Sequence, residues 1–280
     1  MIGVDLDGTL LDTSGRLPER NVEAIARANE AGLMVVLCTG RGLAESKMVI
    51  EGLGHEGPVV LANGALVSDP TTGETLHRAT VEPGLAHEVV WHLREQKHAV
   101  LILLDPEPMG VDYLVTQGEL MTENTRWWFE NIGATIRESE EVGEVDLHHA
   151  LRVGVVGPGK AMPMLVQGLN ERFGGRVFVQ HFAAVKPLDS EDIHVLEVFA
   201  NGVDKWRGLM WVAERHGIEG SEIAEVGDHI NDVSMVSAAG CGIAMGNAVD
   251  VVKDCAARVT GRNDDYGVAD AIDKLLGGEW

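Results

Sequence analysis

The first eighty residues alternate between two hydrophobic patterns. Near-continuous apolar runs in MVVLCTGR (34–41) and PVVLANGA (58–65) end in small polar residues, as expected of parallel strands buried on both faces. The segments 17–33 and 43–54 instead carry apolar residues at helical spacing, and Pro18 and Gly32 mark the predicted ends of the first helix. With an opening strand before Asp5, the order is β-α-β-α-β. This order predicts a doubly wound parallel sheet.

The pattern changes at about residue 80. Segments 84–96 and 161–174 are predicted as amphipathic helices. DYLVT (112–116), RVFVQHF (176–182) and HVLEVF (194–199) alternate as half-exposed strands do. The middle of the chain therefore predicts an antiparallel sheet that helices cover on one face, which is an α+β unit.

The buried pattern of the first eighty residues returns after Gly202. A helix over 203–218 precedes a strand in EIAEVGD (222–228) and a helix over 232–240, and short strands follow near 242–246 and 257–260. The simplest organisation is one α/β core, residues 1–79 and 200–280, split by an inserted α+β domain at 80–199. The fold class predicted is α/β with this insertion.

Composition and charge narrow the classes of partner. The chain of 280 residues has a formal net charge of -22, and such an acidic surface repels nucleic-acid phosphates and anionic lipids. No apolar stretch is long enough to cross a bilayer, and Asp5 and Asp7 interrupt any signal-peptide core. Three cysteines without CxxC spacing fit a reducing compartment. We therefore expect a cytoplasmic protein, a monomer or homodimer, without nucleic-acid or membrane partners.

Polar residues gather where the predicted core strands end. In open α/β sheets the carboxyl ends of the strands form the ligand crevice. The residues that follow the strands, together with a lysine near the start of a later helix, are Asp5, Asp7, Thr39, Gly40, Arg41, Asn63, Gly64, Asp228, Asn231, Asp232 and Lys205. Folding requirements alone do not explain this distribution, so we interpret these residues as one candidate site.

The residue types in this set indicate phosphoryl chemistry on a divalent metal. Mg²⁺ prefers hard oxygen ligands, and we expect Asp5, Asp228, the main-chain carbonyl of Asp7 and, through water, Asp232. A carboxylate can attack phosphorus to form an aspartyl-phosphate, and Asp5 is the better candidate because it lies deepest in its strand. Asp7 is then the general acid–base group. Thr39 and Lys205 would hold the charged phosphoryl oxygens.

Four sequence segments resemble the ordered motifs of the haloacid dehalogenase-like hydrolases. They are DLDGTLLD, LCTGR, the lysine of GVDKWRGL, and VGDHINDVSMVSAAGCGIAMGNA. ANGA (62–65) narrows the resemblance to the Cof-type phosphatases, which insert an α+β cap between motifs two and three of a Rossmann-like core. The resemblance implies Asp5 as nucleophile, Mg²⁺ as cofactor, and Thr39, Gly40, Lys205 and Asn231 as phosphate-binding residues.

Four further positions are candidates for contacts with the substrate or for cap closure, namely Arg41, Asn63, Gly64 and His229. His229 departs from the family pattern, which more often has a small or amide residue there. The cap resembles the family in position and texture, without a motif of its own.

The predicted function is Mg²⁺-dependent hydrolysis of a small phosphomonoester, most simply a sugar phosphate. Haloacid dehalogenation would leave Asp7 without a role. A phosphohexomutase of the phosphomannomutase type is an alternative, but it needs a second phosphate site, and residues 80–199 contain no cluster of arginines. A non-catalytic protein that binds a phosphorylated metabolite is a further alternative, against which the complete set of motif residues counts.

Overall fold

A computed structural model describes residues 1–118, 126–127, 130–183 and 193–280. The chain divides into two compact units. One combines Met1–His77 with Asp204–Trp280, and the other is Arg78–Val203. The first unit is therefore built from both ends of the polypeptide.

The amino-terminal segment forms alternating strands and helices before a short meander. Its elements are β1 Ile2–Val4, α1 Glu19–Glu30, β2 Val35–Cys38, α2 Leu43–Leu53, β3 Val59–Leu61, β4 Leu66–Ser68 and β5 Thr75–Arg78. Pro18 occupies the N-cap of α1 with an extended backbone, and Ala24, Ile25 and Ala28 form part of the buried face of this helix. The predicted β-α-β-α-β order is present in the structure.

The middle of the chain forms the second unit. Its elements are α3 Pro83–Glu95, β6 Leu101–Leu104, α4 Pro106–Met109, β7 Tyr113–Val115, β8 Ile136–Glu138, α5 Glu144–His148, β9 Ala150–Pro158, α6 Met162–Phe173, β10 Val177–Ala183 and β11 Ile193–Ala200. The strands form one sheet in the order β10-β11-β9-β6-β7-β8. Neighbouring strands in this sheet run antiparallel, except for β7 and β8, which run parallel.

The expectation of half-exposed strands is wrong for β7 and for β11, which are both buried on both faces. One face of β11 joins a hydrophobic cluster that includes residues of α3 and α6. On the other face, Glu197 pairs with Arg152 of β9, and Gln180 donates to the same carboxylate at 2.8 Å. A buried charge is tolerated when it is paired, so the polar residue in the pattern did not indicate exposure to solvent.

The carboxyl-terminal segment completes the first unit. Its elements are α7 Lys205–Arg215, β12 Ala224–Gly227, α8 Val233–Ala238, β13 Cys241–Ala244, α9 Asp250–Cys255, β14 Arg258–Val259 and α10 Gly267–Leu276. The sheet order is β14-β13-β12-β1-β2-β3-β4-β5.

The six strands from β14 to β3 run parallel, and β4 is antiparallel to β3. The carboxyl ends of β1, β2, β3 and β12 therefore lie at one edge of the sheet. The prediction of a parallel α/β core with a separate α+β unit is confirmed. Within the described residues, no helix has the length and apolar character that crossing a membrane requires.

Candidate active site

Asp5 stands at the carboxyl end of β1, in the middle of the sheet. Its backbone N–H donates to the carbonyl of Val226 at 3.1 Å, which extends the pairing of β1 with β12. The carboxylate is almost fully buried. The chain then makes a helical turn at Leu6–Leu10, in which Gly8 has φ +78°. A Cβ on Gly8 would overlap Oδ2 of Asp228 and lie 2.9 Å from its Cγ, so a glycine is needed for this close approach.

Lys205 joins the amino-terminal and carboxyl-terminal segments of the first unit beside Asp5. Its Nζ donates to Oδ1 of Asp5 and to Oδ1 of Asp232, each at 2.6 Å, and the ammonium is fully buried. Burial alone would lower the pKa of Lys205, but the charges of Asp232 and Asp5 outweigh burial and raise it, so the amine is charged. Burial and then the charge of Asp232 raise the pKa of Asp5, which the charge of Lys205 opposes.

Asp232 is held on both of its oxygens. Oδ1 accepts from Lys205, and Oδ2 accepts from the backbone N–H groups of Asp228 and His229, each at 2.9 Å. The glycine before these residues permits the arrangement, because a Cβ on Gly227 would lie 2.5 Å from Cβ of Asp232. Asp232 therefore has a fixed orientation and in turn fixes the loop that follows β12.

Asp228 lies opposite the turn after β1. The hydroxyl of Thr9 donates to its Oδ1 at 3.3 Å, and Nδ2 of Asn247 donates to its Oδ2 at 3.3 Å. Burial and then the charge of Asp232 raise the pKa of Asp228 to about 7. The carboxyl group is thus poised to lose its proton when a cation approaches.

The three carboxylates of Asp5, Asp228 and Asp232 are close enough to share one cation. Ligand oxygens from all three lie within 4.8 Å of one another. Lys205 supplies one positive charge to this cluster, which leaves the carboxylates undercompensated when all are ionised. Hard oxygen donors and excess negative charge fit Mg²⁺.

Asp7 and Arg41 form a two-pronged ion pair near the surface. Nε of Arg41 donates to Oδ2 of Asp7 at 2.8 Å, and Nη2 donates to Oδ1 at 2.5 Å. The Asp7 side chain is 54% exposed and that of Arg41 is 29% exposed, so the pair adds little stability but fixes the orientation of the carboxylate. Arg41 is a candidate for substrate contact because it follows β2. In the structure its guanidinium binds the Asp7 carboxylate.

The turn after β3 has an unusual backbone. Ala62, Asn63 and Gly64 all have positive φ, at +48°, +53° and +93°. A Cβ on Gly64 would overlap the carbonyl oxygen of Asp204 and lie 2.7 Å from its carbon, so this turn packs directly against the start of α7. Strain of this kind at non-glycine residues persists where the surrounding structure enforces it, which is frequent at functional sites.

The same turn presents an amide to the loop after β12. Oδ1 of Asn63 accepts from Nδ2 of Asn231 at 2.9 Å. Nδ2 of Asn63 is buried and has no hydrogen-bond partner in the described parts of the chain. An unused buried donor at the edge of the carboxylate cluster is suited to an anionic ligand.

The remaining predicted residues occupy different environments. Thr39 is buried, and its Oγ1 accepts from the backbone N–H of Arg41 at 3.2 Å. Gly40 packs against the Asn63 amide, since a Cβ there would lie 3.2 Å from Oδ1. His229 is exposed, and its contribution to the cluster is made through its backbone N–H.

Sequence reasoning missed two residues that hold this geometry. Asn247 donates to the carbonyl of Gly8 at 2.7 Å as well as to Asp228. It follows β13, so the rule that selected residues after the other strands would have found it. The hydroxyl of Thr9 carried no separate signal, because threonine after a glycine is common in turns.

A family model described as haloacid dehalogenase-like hydrolase matches residues 2–272. The chain belongs to that family. The predicted resemblance to haloacid dehalogenase-like hydrolases of the Cof type is confirmed. The family supplies the context for the carboxylate cluster, while the role of each side chain in this chain stays a prediction.

Relatives of known name cover essentially the whole chain. The chain is 28% identical to the 5-amino-6-(5-phospho-D-ribitylamino)uracil phosphatase YwtE of Bacillus subtilis, over 100% of this chain and 99% of the relative. It is 27% identical to the pyridoxal phosphate phosphatase YbhA of Escherichia coli, over 97% of each chain. A solved haloacid dehalogenase-like hydrolase from Bacteroides thetaiotaomicron is 25% identical with a TM-score of 0.79, over 98% of each chain.

Proposed function

We propose that this haloacid dehalogenase-like hydrolase is a Mg²⁺-dependent phosphatase that forms an aspartyl-phosphate on Asp5. The chain is a phosphoric monoester hydrolase, and its relatives have the names of phosphatases acting on small phosphorylated metabolites. The observation that carries the proposal is the buried ammonium of Lys205, which bonds to both Asp5 and Asp232 beside Asp228. This arrangement fixes one carboxylate oxygen of Asp5 and concentrates positive charge in an acidic protein.

The first chemical step is attack by a carboxylate oxygen of Asp5 on phosphorus. A bond forms between Asp5 and phosphorus, the phosphorus–oxygen ester bond breaks, and the leaving alkoxide takes a proton from Asp7. In the second step a water molecule attacks phosphorus and gives a proton to Asp7. The bond between the Asp5 oxygen and phosphorus breaks, which releases inorganic phosphate and restores the Asp5 carboxylate. Asp7 is the more exposed of the two acids, which suits exchange of protons with substrate and water.

Arg41 has a positioning role in this proposal. Its two hydrogen bonds to Asp7 hold the carboxylate in one orientation, and a proton on Asp7 weakens the ion pair because it removes the negative charge. Thr39, Gly40 and Asn231 line the neighbouring strand ends. They are proposed to surround the phosphoryl oxygens, together with the buried amide donor of Asn63.

The residues that would hold Mg²⁺ are Asp5, Asp228 and the main-chain carbonyl of Asp7. The ion would supply positive charge to the phosphoryl oxygens in the transition state. Both oxygens of Asp232 are already engaged by Lys205 and by two backbone N–H groups. This supports a role for Asp232 in which it does not bind the ion directly. It would orient Lys205 and the loop that carries Asp228.

The substrate is proposed to be a small phosphorylated metabolite, most simply a sugar phosphate. We assign its selection to the inserted domain, predicted as residues 80–199 and corresponding to the unit Arg78–Val203. The relatives differ in the metabolites that their names contain, which fits a shared phosphoryl site with a variable selecting domain.

The proposal is tested by a phosphate-release assay over a panel of sugar phosphates, nucleotides and phosphorylated vitamins, with Mg²⁺ and with EDTA. We expect release that requires Mg²⁺ and that Asp5→Asn abolishes without loss of folding. Wild-type turnover by Asp5→Asn would refute the covalent step. Isomerisation that depends on a sugar bisphosphate would instead indicate the mutase, and binding without turnover would indicate a metabolite-binding protein.

A further inference from the structure

Glu225 is a buried acid that the proposed chemistry does not use. It lies in β12, at the centre of the sheet, and is fully buried. Neither oxygen of its carboxyl group has a hydrogen-bond partner among the described residues. An unpartnered buried polar group costs stability, and the apolar side chains usual in such strands would avoid the cost. The retention of an acid here therefore calls for an explanation.

The neighbouring strand makes room for this acid. Gly3 of β1 is aligned with Glu225 in the parallel pairing. A Cβ on Gly3 would overlap Oε1 of Glu225 and lie 2.5 Å from its Cδ. Glycine is itself unfavourable inside a strand, because it packs nothing and loses more conformational entropy. Two adjacent strands thus depart from the usual residue types to hold one carboxyl group, which is a pattern expected at functional positions.

The carboxyl group lies on the face of the sheet that carries the site. Side chains two residues apart on a strand share a face, so Gly3 shares a face with Asp5, and Glu225 with Gly227. Asp232 lies over that face of β12, since a Cβ on Gly227 would be 2.5 Å from its Cβ. Glu225 is therefore on the same side as the ammonium bridge between Asp5 and Asp232.

The electrostatic environment favours the uncharged form of Glu225. Burial and then the negative charge of Asp232 raise its pKa, while Lys205 opposes the shift and Asp5 adds to it. The buried thiol of Cys38 also lies in this environment, and burial raises its pKa. A neutral carboxylic acid offers one O–H donor and one carbonyl acceptor.

The ammonium of Lys205 has a third donor and a changing set of acceptors. Two of its N–H groups are engaged by Asp5 and Asp232. In the proposed reaction Asp5 becomes an acyl phosphate and loses its negative charge, which weakens one of these hydrogen bonds, while the phosphoryl oxygens that Lys205 is expected to hold draw the ammonium toward the ligand. A further acceptor on the same face would keep the ammonium in place.

We propose that Glu225 is a positioning residue for Lys205, held in the niche over Gly3 as a reserve acceptor for the ammonium while Asp5 carries the phosphoryl group. The inference rests on the proposed aspartyl-phosphate reaction. It assigns a role to a residue outside the family motifs, and to the glycine that faces it. It also explains why an acid replaces an apolar residue at this place.

The test compares Glu225→Gln, which keeps a donor and an acceptor, with Glu225→Met, which keeps the length and removes both. We expect Glu225→Met to be at least as thermally stable as the wild type, because it removes an unpartnered polar group. Its kcat should fall about ten-fold or more, the effect typical of losing an outer partner of a functional group. Glu225→Gln should keep kcat within about three-fold, with little change in KM for either variant.

A wild-type kcat in Glu225→Met would overturn the proposal, as would equal losses in both variants. Gly3→Ala is the second probe, because it retains every polar group and displaces the carboxyl from its niche. Gly3→Ala should lower kcat as Glu225→Met does, and an unchanged kcat would also overturn the proposal. This variant keeps the test decisive if Glu225→Met fails to fold.

A nuclear magnetic resonance measurement separates this inference from the proposed function. The Nζ resonance of Lys205 in ¹⁵N-lysine-labelled protein is assigned with Lys205→Met. In an Asp5→Asn background, which removes the negative charge of Asp5 as the acyl phosphate does, it should shift when Glu225→Met is added and stay close to its Asp5→Asn position when Glu225→Gln is added. An unshifted resonance on adding Glu225→Met overturns the positioning role whether or not the wild type hydrolyses any phosphate ester. Absence of turnover by the wild type, with the expected shifts, would count against the proposed function alone.

Discussion

Gly8→Ala is the substitution whose consequence the structure defines most sharply. Gly8 has φ +78°, and an added Cβ would overlap Oδ2 of Asp228. Gly15 has φ +77°, and nothing lies within 4 Å of the corresponding Cβ position. Gly15→Ala is therefore a matched control. The two variants impose the same backbone strain, and only Gly8→Ala disturbs the carboxylate cluster.

The expected magnitudes follow from the two contributions. An alanine in the left-handed region costs about 1–2 kcal/mol. The lower entropy of the unfolded alanine variant offsets about 0.4–1 kcal/mol of this cost. We therefore expect Gly15→Ala to lose about 1 kcal/mol. Gly8→Ala must also move the Asp228 carboxylate away from Thr9 and Asn247, and hydrogen bonds to charged groups contribute about 1.5–3 kcal/mol each. Both bonds are long, at 3.3 Å, so the lower figure applies to each, and we expect a total loss of about 4 kcal/mol.

The assay pairs urea unfolding with turnover of p-nitrophenyl phosphate in Mg²⁺. A displacement of about 1 Å within a reacting site can cost about 100-fold in rate, so Gly8→Ala should lose about that much kcat. Gly15→Ala should keep wild-type kcat. Equal unfolding free energies and equal turnover in the two variants would show that Gly8 is not needed for the approach of β1 to Asp228.

Three further predictions concern charged residues of the same site. Lys205→Met should lower the unfolding free energy by about 3–5 kcal/mol, because it leaves Asp5 and Asp232 without a counter-charge. A stability equal to that of the wild type in urea unfolding would contradict this prediction. Asp7→Asn should slow turnover about 10²- to 10⁴-fold. Phosphorylated protein should accumulate, which mass spectrometry of acid-quenched samples detects. Undiminished turnover without accumulation would show that Asp7 is not the acid–base group. The raised pKa of Asp228, about 7 in the folded state against 3.8 in the reference state, means that the native protein binds more protons between these values. Its contribution to stability is present below the unfolded pKa and is lost as the pH rises through about 7, so metal-free protein should lose stability over this window and Asp228→Asn should flatten the profile.

The strand-end rule explains why much of the site could be predicted from sequence. Apolar runs ending in Asp5, Thr39, Asn63 and Asp228 placed these residues at one edge once the strands were taken as parallel. Periodicity determines which residues leave a strand and at which end. It does not determine which of those side chains bond to one another, because bonding depends on rotamers and on the order of strands in the sheet.

The features that sequence did not reveal depend on such tertiary detail. The two hydrogen bonds from Arg41 to Asp7 join the loop after β1 to the loop after β2. The lengths of these loops do not indicate how far apart their side chains lie. Glu225 lies in a strand that the sequence predicts to be uniformly buried. Only the three-dimensional structure shows that the missing side chain of Gly3 leaves room for its carboxyl group. In the second unit, Arg152 of β9 and Glu197 of β11 bond to each other inside the protein. The polar residue in β11 therefore did not indicate exposure to solvent.

The bridge from Lys205 to Asp5 joins residues 200 positions apart in the chain. The strand that carries Asp5 lies between β2 and β12, and β12 leaves the ribosome only after the whole of the second unit has been synthesised. Until then β1 has an unpaired edge, and Asp5 has no ammonium beside it. A nascent chain that lacks Lys205 and β12 should therefore be unable to carry out the reaction proposed for Asp5.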